Sequence, residues 1–241
     1  MKALFAQLRL ELALTLRNGE SLLLTLGIPV GILVFFSLVD VLPIEGDAVD
    51  FLAPGVLAMA VLSTAFANLA IATGFDRSYG VLKRLGTTPL GRSRLVAAKV
   101  LASLTVLLIQ AVVIVAAGLA LGWNVDVSPL PAVLAVILAT TAFVGLALFL
   151  AGRLPALINL AVSNTVFLAL LLFSGMVFPL SELPAHMRGM ARALPSTALA
   201  EALHGAFGDG HIPGRVWSVL VVWAAASIAL AATYFRWEPD R

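Results

Sequence analysis

Six long apolar runs, none holding an aspartate, glutamate, lysine or arginine, dominate the chain: Leu22–Val39, Phe51–Phe75, Val100–Gly122, Leu130–Ala151, Leu154–Leu180 and Val216–Phe235. Crossing the roughly 30 Å hydrocarbon layer takes about 20 mostly apolar residues in a helix, and each run is of that order. The runs are continuous, without the in-out alternation of outer-membrane strands, which excludes a β-barrel. The sequence therefore predicts an all-α membrane protein of six transmembrane helices. Composition supports this, with only 12% of 241 residues charged where soluble domains carry about 25%. Zero cysteines exclude a disulfide framework, a thiolate metal site and a thiol nucleophile.

The charges sort by side. Segments on the side of the N-terminus hold Lys2, Arg9, Arg17, Arg77, Lys83, Arg84, Arg92, Arg94, Lys99, Arg153, Arg236 and Arg241, twelve basic residues with five acids, net +7. The opposite side holds Arg188, Arg192 and Arg215 with eight acids, net −5. The positive-inside rule then predicts a multi-pass protein of the cytoplasmic (inner) membrane with both termini in the cytoplasm. The pI near 9.4 records that orientation; the bilayer is the expected partner and nucleic acid is not. No cleavable signal peptide is expected, because the first run ends in Asp40-Val41-Leu42-Pro43 without a small-x-small site. Ahead of it, Leu4, Leu8, Leu12 and Leu16 recur every four residues beside Phe5, with Lys2, Gln7, Arg9 and Glu11 largely off that stripe. Residues 1–18 thus read as an amphipathic interfacial helix, the alternative being a cytoplasmic extension of the first span.

Two connections are long, residues 76–99 inside and 181–215 outside, and one membrane domain spans 1–241. A P-loop needs a lysine preceded by glycine, and none of Lys2, Lys83 and Lys99 is so placed. The chain is therefore not expected to be an enzyme or to bind nucleotide. His186, His204 and His211 all fall in the external segment. No span then offers a proton carrier or a base for a serine nucleophile, and the scattered histidines do not suggest a metal site. Catalytic residues, metal and cofactor are expected to be absent, while sodium coupling through carbonyls and hydroxyls stays open.

In the inner segment, a short helix from Asp76 to Leu85 would group Val81, Leu82 and Leu85 with Arg77, Lys83 and Arg84 around them, ending at Gly86 and Pro89. Such a knob suits a groove on a soluble partner; a basic loop touching only anionic lipid is the alternative. The outer segment opens one helix at Ser181-Glu182 and caps another at Ser196, running through Phe207. Its apolar content predicts a partly inserted, re-entrant hairpin before the last span, against a plain solvated loop. Within the spans, Asn68, Gln110, Thr140, Thr141, Asn159, Ser163 and Asn164 either line a cavity or bond neighbouring helices. Gly27-Ile28-Pro29-Val30-Gly31 has the spacing of close helix packing.

The run Asp76-Arg77-x-x-Gly80-x-Leu82-x-x-Leu85-x-x-Thr88-Pro89, with Lys99 ten residues after the proline, resembles the segment between spans two and three of ABC-2 type permeases. These are the membrane halves of ATP-driven exporters of drugs, lipids and polysaccharide. Ser174-Gly175-Met176-Val177-Phe178-Pro179 is similar to that family's Ser-Gly-x-x-Phe-Pro element, and Leu194-Pro195 and Glu201-Ala202-Leu203 fall where it has a proline and a Glu-Ala-Leu. The resemblance covers nearly the whole chain. It implies a dimer, either a homodimer or a heterodimer with a sibling permease, over two copies of a cytoplasmic ATPase that binds the ATP and Mg. It implies that residues 76–88 form the coupling helix, with Asp76, Arg77, Gly80, Leu82, Lys83, Arg84 and Leu85 at the ATPase contact, and that 1–18 form the connecting helix. Spans two and five would face the dimer axis, putting Asn68, Asn164, Phe167 and Leu171 on the pathway and Phe178 and Pro179 at an external gate. The expected function is outward movement of amphipathic small molecules such as drugs or antibiotics, or of lipids. The alternatives are a polysaccharide-exporting permease of the same family, a self-sufficient sodium-coupled carrier or channel, and a non-transporting scaffold subunit.

Overall fold

The computed structural model describes residues 2–17, 19–39, 47–86 and 92–234. The Thr88-Pro89 pair, the loop 40–46, Arg236 and Arg241, and the side chains of Lys2, Leu4, Leu16, Leu85 and Arg92, all invoked above, lie outside the described residues. Among those described, the chain is helical throughout: α1 (Lys2–Arg17), α2 (Gly19–Leu38), α3 (Ala48–Leu62), a π-helical turn (Ser63–Asn68), α4 (Leu69–Ser78), α5 (Val81–Gly86), α6 (Arg92–Ala120), α7 (Pro129–Ala151), α8 (Ala156–Leu172), a 3-10 turn (Leu180–Glu182), α9 (Ala185–Ala191), α10 (Pro195–Ala206) and α11 (Gly214–Tyr234). In hydrocarbon each segment must satisfy its own backbone hydrogen bonds, and only a helix does so within one segment.

Four helical stretches are long and apolar enough to cross a membrane: Ala48–Ser78, Arg94–Ala120, Pro129–Ala151 and Gly214–Tyr234. Two shorter apolar helices, Thr25–Leu38 and Ala156–Leu172, accompany them. The second run is longer than expected, because helix continues unbroken through the π-helical turn to Ser78. The fifth is shorter than the expected Leu154–Leu180. Its helix stops at Leu172, and Gly175 takes a left-handed φ of +77° that turns the chain back.

α3 lies at the centre, packed by α2, α6, α7 and α10, with Leu52, Leu62 and Phe66 fully buried there. α7 and α11 make the longest contact, and it is a close one. A Cβ on Gly145 would run into the Ser227 hydroxyl and stand 2.7 Å from its carbonyl carbon. Helix ends divide into two sets. At the lower end lie α1, the C-termini of α4 and α7, α5 and the start of α6. At the upper end lie the start of α3, the end of α6, the starts of α7 and α11, and α10, which the Ser128 N–H joins to α7 by a 2.7 Å bond to the Ala206 carbonyl.

Candidate functional site

At the lower end, Asp76 and Arg77 do not belong to a separate coupling helix. They form the last turn of α4, and the chain breaks only at Tyr79 and Gly80, the latter at φ +72°. α5 then starts at Val81. Arg77 is 2% exposed, and its Nη1 donates to the Ala151 carbonyl at the C-terminus of α7 (2.9 Å). A cation there meets the negative end of the helix dipole as well as an unpaired carbonyl. Leu82 is fully buried. Both residues therefore anchor the segment, and the surface left outward is Tyr79 (74% exposed), Val81, Lys83 and Arg84. Tyr79 stacks on Phe75, with ring centroids 6.2 Å apart.

Behind this segment a buried ion pair joins α1 to α6. Lys99, 2% exposed, donates from Nζ to Glu11 Oε1 at 2.9 Å, and Gln7 Nε2 donates to the same oxygen at 2.9 Å. Gln7 and Glu11, expected on the solvated side of an amphipathic helix, thus turn inward, while Phe5, Leu10 and Leu14 are exposed. Asp76 stands within electrostatic reach of both Lys99 and Glu11. The ion pair closes one end of a cavity of about 140 Å³ that is also lined by Thr25, Thr64, Asn68 and Ser103. The Thr64 hydroxyl donates to Gln110 Oε1 (2.9 Å), Gln110 Nε2 to the Thr25 carbonyl (2.9 Å), and Asn68 Nδ2 to the Thr25 hydroxyl (3.4 Å). Thr64 and Asn68 both lie on the π-helical turn, a distortion that concentrates at functional sites.

Of the expected pathway residues, the structure brings only Asn68 to this cavity. Asn164 is exposed on α8, and Phe167 and Leu171 are half-buried against the core. α3 is enclosed by its own neighbours, with most of its side chains buried against α2, α6, α7 and α10. Asn159 acts as helix glue. Its Nδ2 donates to the Ala70 carbonyl (2.7 Å), and Gly74 leaves the room it needs, since a Cβ there would stand 2.5 Å from that nitrogen. Gly27 and Gly31 on α2 meet nothing within 4 Å and point outward, so their spacing serves no packing within one protomer.

At the upper end, Ser174 caps α8. Its hydroxyl donates to the Leu171 carbonyl (2.6 Å) and accepts the Met176 N–H (3.0 Å). The Met176 backbone lies directly on Gly55 of α3, where a side chain would have no room. Phe178 is left exposed beside half-buried Pro179. α10 starts at Pro195 with Leu194 as its cap, so Ser196 lies inside the helix and caps nothing. Glu201 pairs with Arg215 at the start of α11 (2.6 Å). His204, which the sequence reading left without a role, ties α10 to α3: Nδ1 faces the Ala200 carbonyl (2.7 Å), Nε2 the Phe51 carbonyl (3.0 Å), and the ring lies on that of Phe51. Burial holds its pKa below the ordinary histidine value, against the opposing pull of the two carbonyls and Glu201.

Sequence reasoning missed the ion pair because its partners lie 88 positions apart. Thr25 and Thr64 carried no local signal either. No curated protein matches the chain. The family model described as ABC-2 type transporter matches residues 2–207. That match spans most of the chain and takes in α1, α5 and the Ser-Gly-x-x-Phe-Pro element. The chain therefore belongs to the ABC-2 type transporter family, as a multi-pass membrane component of a transport system that is not itself catalytic.

Proposed function

We propose that the chain is the permease subunit of an ATP-driven exporter, working as a dimer over two copies of a cytoplasmic ATPase. The observation that carries this reading is the short helix α5, anchored from behind by Arg77 and Leu82 and offering Tyr79, Val81, Lys83 and Arg84 outward. An apolar and aromatic knob with basic flanks fits a groove on a soluble partner. Force applied to α5 reaches α4 and α7 through the Arg77–Ala151 bond, and α1 follows α6 through the Lys99–Glu11 pair.

In this reading α2 and α8 complete a six-span protomer, and both termini and α5 face the cytoplasm across the inner membrane. α2 has twenty residues, about 30 Å at 1.5 Å per residue. The open Gly27 and Gly31 face lets a helix of the second protomer approach. α9 and α10 act with Phe178 and Pro179 as the external gate. The substrate is an amphipathic small molecule or lipid carried outward, which suits walls of alanine, leucine, valine and phenylalanine. Reconstitution with and without the ATPase tests the whole: transport should need both, and the pair Val81→Asp with Lys83→Glu should abolish association. Transport by the lone chain, or a complex that survives that double change, would overturn the reading.

A further inference from the structure

Toward the lower end a groove of about 870 Å³ lies between α6 and the α7–α11 pair. Its walls are Leu95, Val96, Val100 and Leu101 of α6, Leu148 of α7 and Ile228 of α11, with small alanines between. Thr141 is the one polar residue on the wall, and its hydroxyl proton is already given to the Ile137 carbonyl (2.8 Å). The volume is that of a ligand site, and walls this apolar, with no free side-chain donor among the residues that line them, suit hydrocarbon over a polar solute.

The lower rim is different. Arg153 follows the end of α7 and holds its guanidinium 5.4 Å from the centroid of the Tyr234 ring. Tyr234 in turn meets Phe149 edge-on at 6.2 Å and ends α11 one turn beyond Ala231 of the groove wall. Among the described residues no carboxylate pairs with Arg153. Arg94 stands immediately before Leu95 on the same rim, exposed. A dry groove that opens at membrane depth onto a fixed cation and a phenol matches a molecule with hydrocarbon chains and an anionic head. We infer that the groove holds one anionic phospholipid, its chains along α6 and its phosphate on Arg153 and the Tyr234 hydroxyl. The lipid wedges the helix that follows α5 away from the tightly joined α7–α11 pair.

The inference needs the helices to lie in a bilayer but no ATPase and no export, so it can fail or hold independently of the function proposed above. The full chain, extracted from vesicles of equal phosphatidylglycerol and phosphatidylcholine and stripped with detergent, would be weighed by native mass spectrometry. One retained phosphatidylglycerol per chain is expected. Arg153→Gln should lower its retention about fivefold, the attraction of one basic residue to an anionic headgroup. Ala232→Trp, which fills the groove and leaves the rim intact, should abolish retention, and it keeps the test alive if Arg153→Gln fails to fold. Equal retention of the two lipids, no retained lipid, or unchanged retention in both variants would overturn the inference.

Discussion

The ion pair between α1 and α6 allows a quantitative test. Lys99 Nζ and Glu11 Oε1 are 2.9 Å apart, with side chains 2% and 18% exposed. At an effective dielectric of about 20 their gross attraction is about 6 kcal/mol, most of it offset by the cost of taking the ammonium out of water. What a mutation reads is the cost of stranding one partner, about 3–5 kcal/mol for a buried pair. Lys99→Met should fall in that range, because it removes a buried cation whose charge both Glu11 and Asp76 feel. Glu11→Leu should cost less, about 2–3 kcal/mol, since Asp76 still faces Lys99 and part of the Glu11 site is open to water. The double variant, with apolar groups of similar volume on both sides, should recover most of the loss. Reversible unfolding of the purified chain in mixed micelles measures all three. If Lys99→Met costs under about 0.5 kcal/mol, or the double variant is as unstable as Lys99→Met alone, the pair is not what ties α1 to α6.

Three further outcomes follow from single contacts. Arg77→Gln, too short to reach the Ala151 carbonyl, should lose about 1.5–3 kcal/mol of a charged hydrogen bond, and amide exchange over residues 79–86 should quicken by about tenfold or more. Gly145→Ala should cost about 1–3 kcal/mol by prising α7 from α11, because the new methyl meets the Ser227–Ile228 backbone; unfolding midpoints read this directly. His204 has a folded pKa below its unfolded value of about 6.5. Its contribution is therefore complete above about pH 6.5 and is lost as pH falls through the lowered folded value. Amide exchange in α10 should accelerate on acidification across that window, and His204→Phe should flatten the response.

Hydropathy located all six apolar helices because burial in lipid and burial in protein select the same residues. For the same reason it could not place the end of α8: residues 173–180 are apolar apart from Ser174, and the helix ends at the Ser174 cap and the positive φ of Gly175. The α4 terminus was misread because charge at Asp76 and Arg77 looks like solvent exposure, whereas Arg77 is sheltered by a carbonyl 74 positions away. Leu82 was grouped with the outward apolar residues because a helical stripe does not say which of its members face the protein's own fold. Gln7 and Glu11 turned inward for a partner on α6 that no local pattern announces. The start of α10 was legible in principle, since proline favours the first helical position and Pro195 occupies it.

The central claim is that α5 is the contact through which an ATPase drives this permease, and the absence of native cysteine makes it directly testable. Single cysteines replacing Tyr79, Lys83 or Met190, each exposed, would carry a photocrosslinker in membranes that also contain the ATPase. The account predicts crosslinks to the ATPase from positions 79 and 83 and none from position 190 on α9. A crosslink from 190, or none from 79 and 83, would contradict it.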